Sequence, residues 1–403
     1  MAQIVQALRA DDAAAREAAE AKLRDQNWIT PQDLRIAIDE AAGSFPPSSD
    51  VWDRGSVALM LFVADHMRPE FVSSIAKQYA RYDSGAKHYA LVALARAGTD
   101  DAISLALDLY QAGRAETVTK ASPFQDLQYS LAGGAVLFPR LLEMTAGSED
   151  HEDALHLLFA FVAAQRLTPE QKAACAPFAI GSANRRLNEM RQFEGTAASR
   201  LWFLQEAVSS ARSELALVLD TLGYFDCASS LEVLRRALVT ADPWPKLFAA
   251  LSLISRGGIV AAGELEDLAK WSETRRVLYD RLLDLGRSSL FPPRWRTKEA
   301  LAESDLVRWL VFPTELGRPP DEIELMARVP VTSEEGAAEY FVYRFRTLEP
   351  HWSAKNGWMA GVAGPYLVAE PLPKGGASGC FSQFTAWEEL SAEQHARQII
   401  FGE

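Results

Sequence analysis

Few residues in this 403-residue chain have the types and spacing that chemistry requires. His151 and His156 flank Glu152 and Asp153 in a pattern close to a zinc-hydrolase helix. That chemistry needs two histidines four apart, so that both rings share one helix face; five apart places them about 140° from each other. The segment reads instead as the acidic first turn of a helix with a half-buried histidine. Cys380, with His351 and Glu349 near it in sequence, supplies the types of a thiol nucleophile, its base and an orienting carboxylate. A small buried thiol is the plainer reading. The glycines of Gly357–Gly364 and Gly375–Gly379 lack the Lys-Ser/Thr of a phosphate loop and read as backbone geometry. No catalytic group, metal-ligand set or cofactor site is therefore expected.

A recognition surface has more support. Tyr340–Arg346 alternates like a strand, which puts Arg344 and Arg346 on one face and Phe341, Tyr343 and Phe345 on the other. His351, Trp352 and Trp358 follow closely, and aromatic residues beside arginine are the types enriched where partners bind tightly. The expected binding patch is thus Arg344, Arg346, His351, Trp352 and Trp358. Two other readings stay open: a solvated arginine face above a tryptophan-filled core, or an anion site built on Arg344, Arg346 and His351.

Basic doublets occur at Arg185–Arg186, Arg235–Arg236 and Arg275–Arg276, with a longer run at Arg294–Lys298. They invite a nucleic-acid reading, but they are scattered among acids in a chain of net charge −13, the wrong sign for following a phosphate backbone. Helix-surface ion pairs, each worth a fraction of a kcal/mol, are the expectation. From Glu299 onward there are 8 Lys and Arg against 16 Asp and Glu, a balance of −8. Such a field favours a basic protein partner and disfavours nucleic acid.

Three cysteines, Cys175, Cys227 and Cys380, stand far apart with no CxxC pair, as expected for free thiols in a reducing cytoplasm. The first residues carry no basic-then-apolar secretory pattern. The longest apolar stretches, such as Val57–Ala64, fall well short of the roughly 20 residues of a membrane span. A cytoplasmic, membrane-independent protein is expected.

The elements that must position these residues are mainly helices. Ala86–Tyr110 sets Tyr89, Val92, Ala93 and Leu94 on a first helix and ends it at Gly98, where a left-handed residue fits. Thr99-Asp100-Asp101 then offers caps for a second helix carrying Ile103, Leu105, Ala106, Leu107 and Leu109. The pattern returns at Leu215–Leu238, where Asp226 or Ser229 is the expected cap, and at Phe248–Leu268 around Gly257-Gly258. Gly223 and Gly257 lie 34 residues apart, within the period of helical-pair repeats. After Pro292-Pro293 a helix is expected from Thr297 to Leu310. The period then changes to two, with strands at Ile323–Val331, Tyr340–Arg346, Trp358–Val368 and Cys380–Trp387. A last helix runs from Ser391 to Phe401.

The stretch ALVALARAGTDDAISLALDLY at Ala90–Tyr110 resembles a unit of the HEAT-like repeat proteins, a resemblance that covers roughly Val51–Leu290. It implies an α-solenoid of antiparallel helical hairpins whose concave side grips partners. The doublets prompt a further comparison with HEAT-like DNA glycosylases, which the charge disfavours. FPTELGRPPDEIEL and HWSAKNGWMAGVAGPY resemble the tail of uncharacterised bacterial helical-repeat proteins, which implies a real module and no activity. The expected organisation is a helical cap over 1–45, a repeat array over 46–291, a linker and helix over 292–312 and a small α+β domain over 313–403. The expected function is that of a non-enzymatic scaffold, most concretely a cytoplasmic immunity or inhibitor protein that blocks a basic toxin sterically.

Overall fold

The computed structural model describes the chain except for Asp11, 26–28, 47–49, 114–121, Glu149, 197–202, Leu204, 312–315, Gly317, 334–335, 348–356, Glu370, Pro371, 373–378, 384–386, 388–389 and Glu403. It is mostly helical, with a four-stranded antiparallel sheet near the C-terminus, as the change of hydrophobic period predicts. The contacts divide it into two compact units, Met1–Gly181 and Ser182–Glu403.

The first unit begins with α1 (Ala2–Leu8), α2 (Ala13–Arg24), α3 (Pro31–Ala41), α4 (Gly55–Asp65), α5 (Val72–Gln78), α6 (Ser84–Arg96) and α7 (Asp100–Gly113). Short turns α8 (Leu127–Ser130), α9 (Gly134–Leu137) and α10 (Arg140–Thr145) follow, then α11 (Asp150–Ala163) and the long α12 (Pro169–Thr196), which runs past Gly181. Asp12, Thr30 and Asp83 each accept a hydrogen bond from a backbone N–H of the first helical turn, which fixes where α2, α3 and α6 start. Gly98 turns α6 into α7 at φ +70°, the left-handed geometry its position predicts. The apolar run Val57–Ala64 lies in α4, a helix buried on several sides because it packs against both α3 and α6.

Arginine–carboxylate bonds tie successive hairpins of this unit together. Arg9 reaches Glu40 at 2.6 Å, Arg96 holds Asp65 at 2.6 Å and Asp126 at 2.7 Å, and Arg140 holds Asp108 at 2.5 Å. The paired residues stand 30 to 32 positions apart, about one hairpin.

The second unit contains α13 (Glu206–Leu222), α14 (Ala228–Ala237), α15 (Pro243–Ser255), α16 (Ala262–Lys270), α17 (Ser272–Asp284) and α18 (Lys298–Val311). Helices α13, α15, α17 and α18 each pack on the next, while α14 and α16 fold back on α15 and α17. Neither Asp226 nor Ser229 caps α14; Cys227 holds the N-cap position and makes no side-chain cap bond.

The ties of this unit run through its interior. Arg212 on α13 donates to Asp242 at 2.8 Å and to Glu273 at 2.6 Å, while Asp242 also caps α15 through the Trp244 N–H. Burial alone would lower the Arg212 pKa, but the Asp242 and Glu273 carboxylates outweigh it and hold the group above its ordinary value. Arg281 returns from α17 to Asp220 on α13 at 2.8 Å.

The doublet Arg275–Arg276 departs from the expected surface pairing: the two residues are 1% and 0% exposed. The reason is that α17 packs against both α15 and α18. Arg275 donates to the carbonyls of Ala269 at 2.7 Å and Ala300 at 2.6 Å, and its guanidinium lies over Trp295 at 4.4 Å. Arg276 grips Asp305 at 2.9 Å. Arg185, exposed at the surface, and the partly buried Arg186 both pair with the buried carboxylate of Glu214.

The strands β1 (Glu322–Ser333), β2 (Gly336–Arg346), β3 (Met359–Leu367) and β4 (Gly379–Gln383) pair in sequence order, and α19 (Ala392–Phe401) closes the chain behind a Ser391–Gln394 capping box. Helix α18, which lies in the segment 292–312 that the sequence marks as linker and helix, packs Ala302, Leu306 and Leu310 on Phe341, Tyr343 and Phe345. It therefore belongs to the core of the sheet. Gly361 permits this approach, since a Cβ there would stand 2.8 Å from Leu306 Cδ2. Part of the glycine-rich stretch 357–364 is thus strand under a helix. Opposite, Val342 and Val362 pack with Ala396 of α19.

His88 gives the first unit an acid sensitivity. It is 6% exposed on α6, meets Trp52 and Tyr89 edge-to-face, and leaves Nδ1 without a hydrogen bond. Burial lowers its pKa to about 4. Between that value and the roughly 6.5 of an unfolded histidine, only the unfolded chain takes the proton, so stability falls as pH drops below 6.5. Urea unfolding at pH 5 is expected to show about 2 kcal/mol less stability than at pH 7 from this group. His88→Phe should remove that part of the slope; an unchanged slope contradicts the assignment.

Candidate functional site

The sheet face that carries α19 also carries the arginines of the expected patch. Because β1 and β2 run antiparallel, Glu322 stands opposite Arg346 and Glu324 opposite Arg344. The alternation that sends both arginines to one face sends both glutamates there too. Arg344 donates through Nε and Nη2 to Glu324 Oε2 at 2.9 and 2.6 Å. Arg346 holds Glu322 Oε2 from Nε at 2.8 Å. Phe341, Tyr343 and Phe345 are buried on the opposite side, as the strand pattern predicts.

Trp358 joins the two pairs. It precedes β3 and is half-buried, and the guanidinium carbons of Arg344 and Arg346 lie 4.3 and 4.5 Å from its ring centroid. The indole face is electron-rich, so each arginine is held by a carboxylate and a π-system together. The Trp387 N–H donates to the Trp358 carbonyl at 2.8 Å. Trp387 in turn stacks on the fully buried His395 of α19 at 4.8 Å between centroids. The order Glu322, Arg346, Trp358, Arg344, Glu324 is thus anchored to the last helix through Trp387.

The structure therefore brings together Arg344, Arg346 and Trp358. His351 and Trp352 lie outside the described residues. Reading the sequence for recognition types missed Glu322 and Glu324, although their two-residue spacing repeats that of Arg344 and Arg346 on the adjoining strand. The quartet carries two positive and two negative charges, which makes it a neutral polar surface around an indole.

The other candidates divide in the same way. His151 sits in the first turn of α11, with Nδ1 3.2 Å from Thr145 Oγ1, while His156 points to solvent on another face of the helix. Among the described residues, no group of three or more His, Cys, Asp or Glu could hold a metal ion. Burial, and then the nearby Asp305 carboxylate, push the Cys380 thiol up to about 12, where the nucleophilic thiolate is suppressed. Asp305 itself bridges Arg276 and the Tyr366 hydroxyl inside the unit, which occupies it structurally. Among the described residues, no helix is long and apolar enough to cross a membrane.

Comparisons with protein-family models, with curated proteins and with solved structures find no match to this chain.

The geometry ranks these residues by effect. Trp358→Ala removes the platform beneath both arginines and is expected to cost the second unit about 2 kcal/mol. Arg344→Ala removes a partly exposed pair and should cost less than about 1 kcal/mol. Urea unfolding of the two variants checks the order, and a reversed order contradicts the central place of Trp358.

Proposed function

We propose that this protein is a non-enzymatic protein-binding scaffold with HEAT-like hairpins, most concretely a cytoplasmic immunity or inhibitor protein that blocks a basic partner sterically. The observation that carries the reading is the acidic excess of the chain. Arg96, Arg140, Arg212, Arg276 and Arg281 are engaged with carboxylates between helices. The chain's net charge is −13. Acids such as Asp101, Glu232 and Asp267 stand exposed. A surface of that sign accelerates encounter with a basic protein and disfavours nucleic acid.

Within this reading the tryptophan–arginine ladder of the sheet is a secondary contact surface, presenting a half-buried indole and four paired charges. A second reading, an anion sensor on Arg344 and Arg346, has weaker support because both guanidinium groups already hold glutamates.

A partner captured by the full chain from its native lysate and then purified is expected to be basic, and to associate at least about tenfold faster at 50 than at 300 mM salt. Stopped-flow or surface-resonance kinetics measure this directly. Capture of an acidic partner, or an association rate independent of salt, contradicts the electrostatic part of the proposal. Capture of nothing at micromolar concentration contradicts the scaffold itself.

A further inference from the structure

Helices α14 and α16 both fold against α15, and a groove of about 480 Å³ opens alongside α14. One wall is the α14 face bearing Leu231, Arg235 and Leu238, spaced by four and three residues. Buried Leu253 and the Gly257–Ile259 turn also line it. That turn is held by Gly258 N–H to the Leu253 carbonyl at 2.8 Å and Gly257 N–H to the Ile254 carbonyl at 2.9 Å. Gly257 has φ +75°, and a Cβ on Gly258 would meet the Leu253 oxygen at 2.9 Å, so both positions require glycine. The turn leaves Ile259 at the groove with 96% of its surface in water.

The charge of the groove is opposite to that of the chain. Arg256 lines it and is fixed in place by bonds to Ser230 Oγ at 2.6 Å and Asp226 Oδ1 at 3.3 Å. Arg235 is exposed and has no carboxylate partner among the described residues. Two arginines against the single carboxylate of Asp226 leave a local positive excess beside leucines. Leucines beside a cation are two of the elements from which a small-ligand site is built, and a guanidinium pairs most strongly with a carboxylate or another oxyanion.

We propose that this groove binds a small carboxylate with an aliphatic tail, the carboxylate on Arg235 with Arg256 in support, and the tail along Leu231, Leu238, Leu253 and Ile259. The α14 wall between Leu231 and Leu238 rises about 10 Å, which bounds the tail to about eight carbons or fewer. The volume fits such a molecule within the range of small-ligand pockets. This site is separate from protein binding through the acidic surface, and the two can fail independently.

The test is methyl and amide NMR of the full chain titrated with octanoate. Saturable shifts are expected at the Ile259 methyl and the Gly257 and Gly258 amides, with Kd on the order of 1 mM or tighter. Arg235→Gln should weaken binding about tenfold or more, and Ile259→Ser should weaken it too. Both positions are exposed, so the fold should persist, and the remaining amide shifts verify that. Acetate, lacking the tail, and 1-octanol, lacking the charge, should each bind at least about tenfold more weakly than octanoate. The proposal is overturned by shifts elsewhere, by none up to about 10 mM, by equal affinity for octanol, or by an unchanged Arg235→Gln. An acidic peptide that displaces octanoate and binds far more tightly would assign the groove to a protein partner instead and equally overturn it.

Discussion

An arginine buried between helices is the constraint on which the second unit turns. A guanidinium out of water is tolerable only when carboxylates or carbonyls take its donors, and breaking such a group commonly costs 3–5 kcal/mol. Arg212 meets two carboxylates drawn from two further helices, so α13, the cap of α15 and α17 can occupy only one mutual arrangement. Arg276 extends the same logic to α18, whose Asp305 also receives the Tyr366 hydroxyl of β3. Helical packing and the sheet are thereby joined through two polar groups that share α17. Leucines supply most of the driving force for collapse, but their contacts are non-directional; the charged bonds select the register.

This arrangement also bears on recognition. Each tie pairs a cation with a carboxylate and is neutral, so the acidic field comes from the excess of 54 Asp and Glu over 41 Lys and Arg. The arginines of the sheet and of α14 differ in kind. On the sheet, Arg344 and Arg346 are neutralised by glutamates directly across the ladder and shaped by an indole. Beside α14, Arg235 has no such partner among the described residues, and the leucines next to it change what the charge can select.

Much of this was legible from residue spacing. Period-four apolar patterns and the left-handed glycines Gly98 and Gly257 placed the hairpins, and the alternation of Tyr340–Arg346 placed the buried aromatic face. The fate of the arginine doublets was not legible, because a charged pair on an amphipathic helix looks the same in sequence whether one or both sides of the helix are covered. Only the packing of α18 on α17 decides it. The membership of α18 in the sheet core was hidden for a related reason: two prolines signal a break in the helix, not which neighbour the next helix joins. The pairing of Glu322 and Glu324 with the arginines needed the strand register, which no single strand reveals.

The central claim is that the buried Arg212 bonds are structural ties, and its acid response tests it most directly. In Arg212→Ala, Asp242 and Glu273 are left facing each other without a cation, so the account predicts a loss of about 3–5 kcal/mol at pH 7. That loss should shrink on acidification toward pH 4–5, as the stranded Asp242 carboxylate takes up a proton in the folded state, burial and the facing Glu273 charge raising its pKa. Urea unfolding of the variant and the wild type across this range measures it. A loss below about 1 kcal/mol at pH 7, or one that grows as pH falls, would contradict the account.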